Sequence, residues 1–158
     1  MRDRVAARAL LLAGWLVSSA ALAGAGSGSS SYDAQCAVCH QRAAVGAPGQ
    51  FPRLAGRIGA IAAKAEGRAY IVGVVRNGLS GSIKVDGAMI VGLMPPFPQL
   101  PADELASILN YLTSLGPNSA GKPHRFDGAE VTKLSARVAS PQQLLAERES
   151  LAGAGVVP

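Results

Sequence analysis

Cys36 and Cys39 stand three residues apart with His40 directly behind them, and they are the only cysteines in the 158-residue chain. On one helical turn this spacing turns both thiols the same way, within reach of two vinyl groups on one edge of a porphyrin. The imidazole that follows is carried beneath the metal. The pattern reads as covalent attachment of one haem, with iron as the metal and electron transfer as the leading chemistry. Other readings of these residues account for less. A disulfide would not need His40. A thioredoxin-type pair expects a βαβ setting, and no parallel-strand pattern surrounds the site. A zinc site drawn from Cys36, Cys39, His40 and His124 lacks finger spacing and would use adjacent residues as joint ligands.

An iron bound by His40 has a second axial position. Beyond the N-terminal leader described below, Met89, Met94 and His124 are the candidates for it. Met94 precedes two prolines, in a stiff segment that can hold a thioether without being drawn into a helix. Met89 lies in an apolar run where packing is its expected role, and His124 sits in a polar tail as a surface histidine. A ligating histidine also needs its other ring nitrogen fixed by an acceptor.

Covalent haem attachment of this kind requires export. Arg2, Arg4 and Arg8 form a basic start, residues 10–17 an apolar stretch, and Ala21-Leu22-Ala23 a small-residue cleavage site. Residues 1–23 are therefore expected to be a signal peptide and the mature protein to be periplasmic. The apolar run is short for a bilayer span, no cysteine at the cleavage site offers a lipid anchor, and no later stretch is apolar enough to cross a membrane. The formal net charge is +5, and the leader holds three of the arginines. The remaining cations are scattered, without the clustered patch with interleaved aromatics expected of a nucleic-acid binder.

Behind the leader, residues 24–31 form a Gly/Ser linker by composition, although Gly28, Tyr32 and Cys36 recur every four residues on one helical face. Residues 44–59 are rich in Gly and Pro and read as loop. Residues 61–76 read as one or two short helices ending at Asn77-Gly78, and residues 80–92 as another loop, with a short extended piece at 83–85. The prolines of residues 93–98 exclude helix. The last helix of the body runs from Pro101 or Ala102 to Leu115, with Leu105, Ile108, Leu109, Leu112 and Leu115 as its apolar stripe. The body shows no convincing alternating strands, and aromatic residues make up only 4% of the chain. A buried porphyrin would supply the missing apolar mass, which points to an all-α fold of short helices and loops packed around haem.

Gly28 and Tyr32, the Cys36–His40 motif, Pro52-Arg53-Leu54-Ala55-Gly56, Gly92-Leu93-Met94-Pro95-Pro96-Phe97, and Ile108 with Tyr111 together resemble class I c-type cytochromes over roughly residues 28–115. The 92–97 segment is especially similar to cytochrome domains that serve periplasmic dehydrogenases. The resemblance implies a cytochrome c fold over residues 24–118, with the first and last helices crossing at Gly28 and Ile108 beside Tyr32 and Tyr111. It implies His40 and Met94 as axial ligands of a single haem c. It also implies that the Pro52 carbonyl accepts the histidine's second ring N–H, that Leu54 packs on the haem, and that Gly56 permits a close turn beneath it. His/Met ligation raises the reduction potential, and a filled sixth position leaves outer-sphere transfer as the iron's task.

Residues 119–158 exceed what a compact cytochrome of this type needs. Phe126, Val131, Leu134 and Val138 recur at partly helical spacing, and residues 142–151 suggest a short helix. Such an extension can wrap the body, dock on a partner or lie loose on the surface. The expected function is a periplasmic electron-transfer protein, free or as the cytochrome subunit of an oxidoreductase, rather than an enzyme in its own right. Its redox partners would be a periplasmic dehydrogenase or a terminal oxidase or reductase. The alternatives are a small peroxidase-like haem enzyme, which lacks a distal acid/base pair here, and a haem-based sensor, which lacks an output domain.

Overall fold

A computed structural model describes residues 27–116 and 125–158. The proposed leader, most of the sequence before Gly28, and His124 lie outside the described residues. Helices α1 (Ser27–Gln35) and α2 (Ala37–His40) carry the cysteine motif, and a 3-10 turn at Arg42–Ala44 leads into irregular backbone. Helices α3 (Arg57–Ala62) and α4 (Ala65–Asn77) follow, then strands β1 (Leu79–Val85) and β2 (Ala88–Met94), and helix α5 (Ala102–Ser114). Beyond the body come α6 (Gly128–Ser135) and α7 (Pro141–Gly153). No helix among the described residues is long and apolar enough to cross a membrane.

The residues read as linker up to Ser31 are helical from Ser27 onward, because tertiary contact outweighs their weak helix propensity. Gly28 lies so close to α5 that a Cβ there would collide with the Ser107 carbonyl, and Tyr32 is fully buried with its ring 5.4 Å from that of Tyr111. The α5 stripe behaves as its spacing demands: Leu105, Ile108, Leu109 and Leu112 are buried, and Leu115 packs half-buried at the edge of the same core.

The helical expectation needs one correction. Residues 80–92 are not a loop but most of an antiparallel hairpin, with Leu79 opposite Met94 and Val85 opposite Ala88. Asp86 and Gly87 form its two-residue turn with φ of 52° and 83°, the geometry that Asp-Gly supplies best. Alternation was hard to see because the outer face is itself apolar: Met89, Val91 and Leu93 are 56%, 77% and 69% exposed. Met94, read as part of a stiff loop, is the last residue of β2, and the prolines begin directly after it.

Residues 125–158 pack against the body. Phe126, Val131, Leu144, Leu151 and Val157 are buried in one core with residues of α3, α4 and α5. Asn110 holds the backbone of Phe126 from both sides, donating from Nδ2 to its carbonyl and accepting from its N–H, each at 2.8 Å. Arg68 stacks 3.7 Å from the Phe126 ring centre and forks onto Glu130, Nε to Oε1 at 2.7 Å. Both late helices are capped locally: Asp127 accepts from the Glu130 N–H, and Ser140 forms a reciprocal box with Gln143. Leu134 is half-buried, whereas Val138 is 91% exposed.

Candidate haem site

The short helix α2 ends at His40, and the chain turns sharply through Gln41, Ala43 and Ala44, all at positive φ. That turn folds the following loop back under the imidazole. His40 is 8% exposed, and its Nδ1 lies 3.0 Å from the carbonyl oxygen of Pro52. An N–H at Nδ1 donates to that carbonyl, which leaves Nε2 as the nitrogen free to bind a metal. Burial pushes the His40 pKa down, only partly offset by this bond, which favours the neutral ring that a metal requires. Tyr32 fixes the same turn from inside: its hydroxyl donates to the Gln41 carbonyl at 2.8 Å.

His40 opens onto a cavity of about 500 Å³ between the loop of residues 49–54, helices α3, α4 and α5, and the hairpin. Side-chain alternation along the strands puts Leu79, Ile83, Ile90 and Met94 on the hairpin face toward it, and all four line it. Met89 pairs with Lys84 on the opposite face and does not line the cavity. Cys39, Pro52 and Leu54 also line it, while Cys36 is half-buried against the adjoining core. The structure therefore gathers Cys39, His40, Pro52, Leu54 and Met94 around one space, with Cys36 at its margin. No disulfide joins Cys36 and Cys39. Val38, between them, is 80% exposed.

A porphyrin fits this chemistry. The walls are mainly apolar, with Ile58, Ile61, Ile71, Val75, Leu109 and Leu112 among them, suited to a flat hydrocarbon ring. Three guanidinium groups, Arg53, Arg57 and Arg148, share the lining and would hold carboxylate side chains of the ring. Only one of these was singled out in a sequence motif, as part of Pro52-Arg53-Leu54. Arg148 comes from α7, more than a hundred residues from His40, and no local pattern marks it. It bonds the Tyr70 hydroxyl and donates to the Lys84 carbonyl at 3.2 Å. Asp86, at the hairpin tip, accepts from Arg53 Nε at 2.8 Å and from Arg57 Nη1 at 3.1 Å, tying the hairpin to the loop on the His40 side.

Comparison with known proteins agrees with this geometry. The family model described as cytochrome c oxidase, cbb3-type, subunit III matches residues 23–112. The chain is 45% identical over 120 residues to a cytochrome c-552 of Thermus thermophilus, an alignment spanning 75% of this chain and 92% of that protein. A second cytochrome c-552 of the same species is also 45% identical over 120 residues, covering 75% of this chain and 81% of its own length. With one Cys-x-x-Cys-His site opening on one porphyrin-sized cavity, the chain belongs to the monohaem c-type cytochromes: a cytochrome c-552 homologue with a cbb3 subunit III family domain, an electron carrier with one covalent haem c at Cys36 and Cys39.

Proposed function

We propose that this cytochrome is a periplasmic one-electron carrier whose haem iron is bound by His40 and Met94, and that it delivers electrons to or from a terminal oxidase or a dehydrogenase. The observation that carries the ligand assignment is that His40 and Met94 line the same cavity while Met89, the other methionine of the hairpin, points outward. The haem supplies a reversible one-electron couple. The polypeptide's part is to seat it, orient the His40 ring through the Pro52 carbonyl so that Nε2 is left for the iron, and present a thioether, a soft donor that favours the reduced iron. Val38 exposed between the two cysteines supports transfer through the attached ring edge, which would lie beside the surface there. The name of the matched family, a cytochrome c oxidase subunit, supports an oxidase as one partner. The leader-like residues 1–23 and the need to attach haem outside the cytoplasm support export.

The test is carbon monoxide binding to the ferrous protein, with reduction potential measured alongside. The native protein is expected to bind carbon monoxide slowly and incompletely. Met94→Ala is expected to bind it rapidly, lose the sulfur-to-iron charge-transfer band and shift to lower potential, while Met89→Ala keeps all three properties. Fast, complete binding by the native protein would instead favour a haem enzyme or sensor. Loss of the band in Met89→Ala would overturn the ligand assignment.

A further inference from the structure

Arg76, near the C-terminal end of α4, has no role in seating the porphyrin, and no carboxylate pairs with it among the described residues. Its Nη1 instead donates to three backbone carbonyls just beyond Met94: Phe97 at 3.2 Å, Pro98 at 3.3 Å and Leu100 at 2.5 Å. This segment has few means of holding itself. Pro95, Pro96 and Pro98 have no N–H, and the Phe97 N–H is spent on the Val75 carbonyl at 2.8 Å. One cation thus gathers carbonyls that no regular structure uses, through bonds of the charge-assisted kind. The other side of the guanidinium is fixed too: Nε donates to the Ser135 hydroxyl at 2.9 Å, and that hydroxyl donates to the Val131 carbonyl at 2.6 Å within α6. Two residues along from Arg76, Gly78 sits so close to Met94 that a Cβ would come 2.7 Å from the Met94 carbonyl oxygen.

We propose that Arg76 is the positioning residue for Met94, and that Ser135 of the C-terminal extension orients it. The inference rests on Met94 being the sixth ligand. The end of α4 grips the chain from both sides of the ligand: Gly78 permits the close approach to Met94 itself, and Arg76 pins the proline segment three to six residues later. Helix α6 supplies the third point, so the extension bears on the Met94 segment through Ser135. Without Arg76, the proline segment keeps its stiffness but loses its anchorage, and the thioether leaves the iron more often. The fold as a whole keeps its other contacts.

The experiment uses the full-length holoprotein and four variants: Arg76→Gln, Arg76→Lys, Ser135→Ala and Met94→Ala. Arg68→Gln serves as control, since Arg68 also joins α4 to the extension, through Glu130 and the Phe126 ring, and does not itself line the cavity. Carbon monoxide binding to the ferrous state is followed by stopped flow. The charge-transfer band and far-ultraviolet circular dichroism are followed through a urea titration. Arg76→Gln is expected to bind carbon monoxide about tenfold faster or more, the scale of one lost hydrogen bond to a charged group, and to lose the band at a urea concentration where helicity is intact. Arg76→Lys recovers part of this, Ser135→Ala shows a smaller change in the same direction, and Arg68→Gln lowers the unfolding midpoint without accelerating carbon monoxide. The proposal is overturned if Met94→Ala opens the iron while the Arg76 and Ser135 variants stay within twofold of native in carbon monoxide rate, whatever their stability. If Met94→Ala leaves the band in place, the ligand reading itself fails and the proposal fails with it. Should Arg76→Gln not fold, the same criteria apply to Arg76→Lys and Ser135→Ala.

Discussion

The two sides of the haem cavity are built on different plans. The His40 side is assembled from neighbours in sequence: the cysteine motif, a turn closed by the Tyr32 hydroxyl nine residues before its acceptor, and the Pro52 carbonyl twelve residues after the imidazole. The Met94 side is assembled from distance. Met94 ends a strand paired with Leu79, abuts Gly78, and is followed by a segment pinned by Arg76, which is in turn held by Ser135. The first side is a short motif that closes on itself. The second is a consequence of the whole fold, and it depends on the C-terminal extension. Perturbations should therefore separate into those that reach both sides and those confined to one.

Removing residues 125–158 is expected to have the largest effect. It strips Phe126, Val131, Leu144, Leu151 and Val157 from the core, a loss on the order of 10 kcal/mol at 1.5–3 kcal/mol per large side chain. That is comparable to the net stability of a whole domain. The truncated protein is expected to lose its cooperative thermal transition in circular dichroism and to bind carbon monoxide freely. An unchanged melt with slowed electron transfer to a partner would mean that the extension serves docking instead.

Tyr32→Phe probes the His40 side alone. It removes the bond to the Gln41 carbonyl while keeping the buried ring, so urea denaturation should show a loss of about 1 kcal/mol. The charge-transfer band and carbon monoxide rate should be unaltered, and a change in either would erase the distinction between the two sides.

Asp86→Asn acts at the tip of the hairpin that carries Met94, and its effect is smaller and pH-dependent. The hydrogen bond from Arg53, reinforced by Arg57, holds the Asp86 carboxyl below its ordinary value. Its contribution is therefore present at neutral pH, above the unfolded-state pKa, and is lost as pH falls through the lower folded-state pKa. Both Arg53 and Asp86 are over 40% exposed, so solvent screening limits the pair to about 0.5–1 kcal/mol. Urea midpoints measured from pH 7 down to about pH 3 should show a native advantage that shrinks with acid and with added salt. A gap that is constant with pH would assign the effect to something other than ionisation. Met89→Leu, on the outer face of the hairpin, should change stability by less than about 0.5 kcal/mol and leave the haem spectrum untouched.

The same contrast explains what could be read from the chain. The Cys36–His40 site, the α5 stripe from Leu105 to Leu112 and helix α4 were legible because each is a local pattern of spacing, whereas α3 (Arg57–Ala62) begins inside the Gly- and Pro-rich segment read as loop. The hairpin was not, because Met89, Val91 and Leu93 put apolar side chains on its solvent face and hid the alternation that marks a strand. Asp86-Gly87 was the available signal for it. The helical start at Ser27 was masked by Gly/Ser composition and is set by the close approach of Gly28 to α5. Arg57, Arg76 and Arg148 looked like scattered surface cations, since their partners lie far off in sequence. The seating of Phe126 and Val131 depends on Asn110 and Arg68, which no periodicity within the extension reveals.

The identity of the second axial ligand is tested most directly by nuclear magnetic resonance of the ferrous holoprotein labelled at the methionine methyl groups. The chain has three methionines, one of them Met1 in the leader, so the mature protein should give two methyl signals. A methyl bound at the iron sits over the porphyrin face and is shifted far upfield by the ring current, whereas one on the outer face of the hairpin stays near the position of a free methionine. The account predicts one signal of each kind, with Met94→Ala removing the upfield signal and Met89→Ala removing the ordinary one. Two unshifted methyls, or an upfield signal that disappears with Met89→Ala, would contradict it.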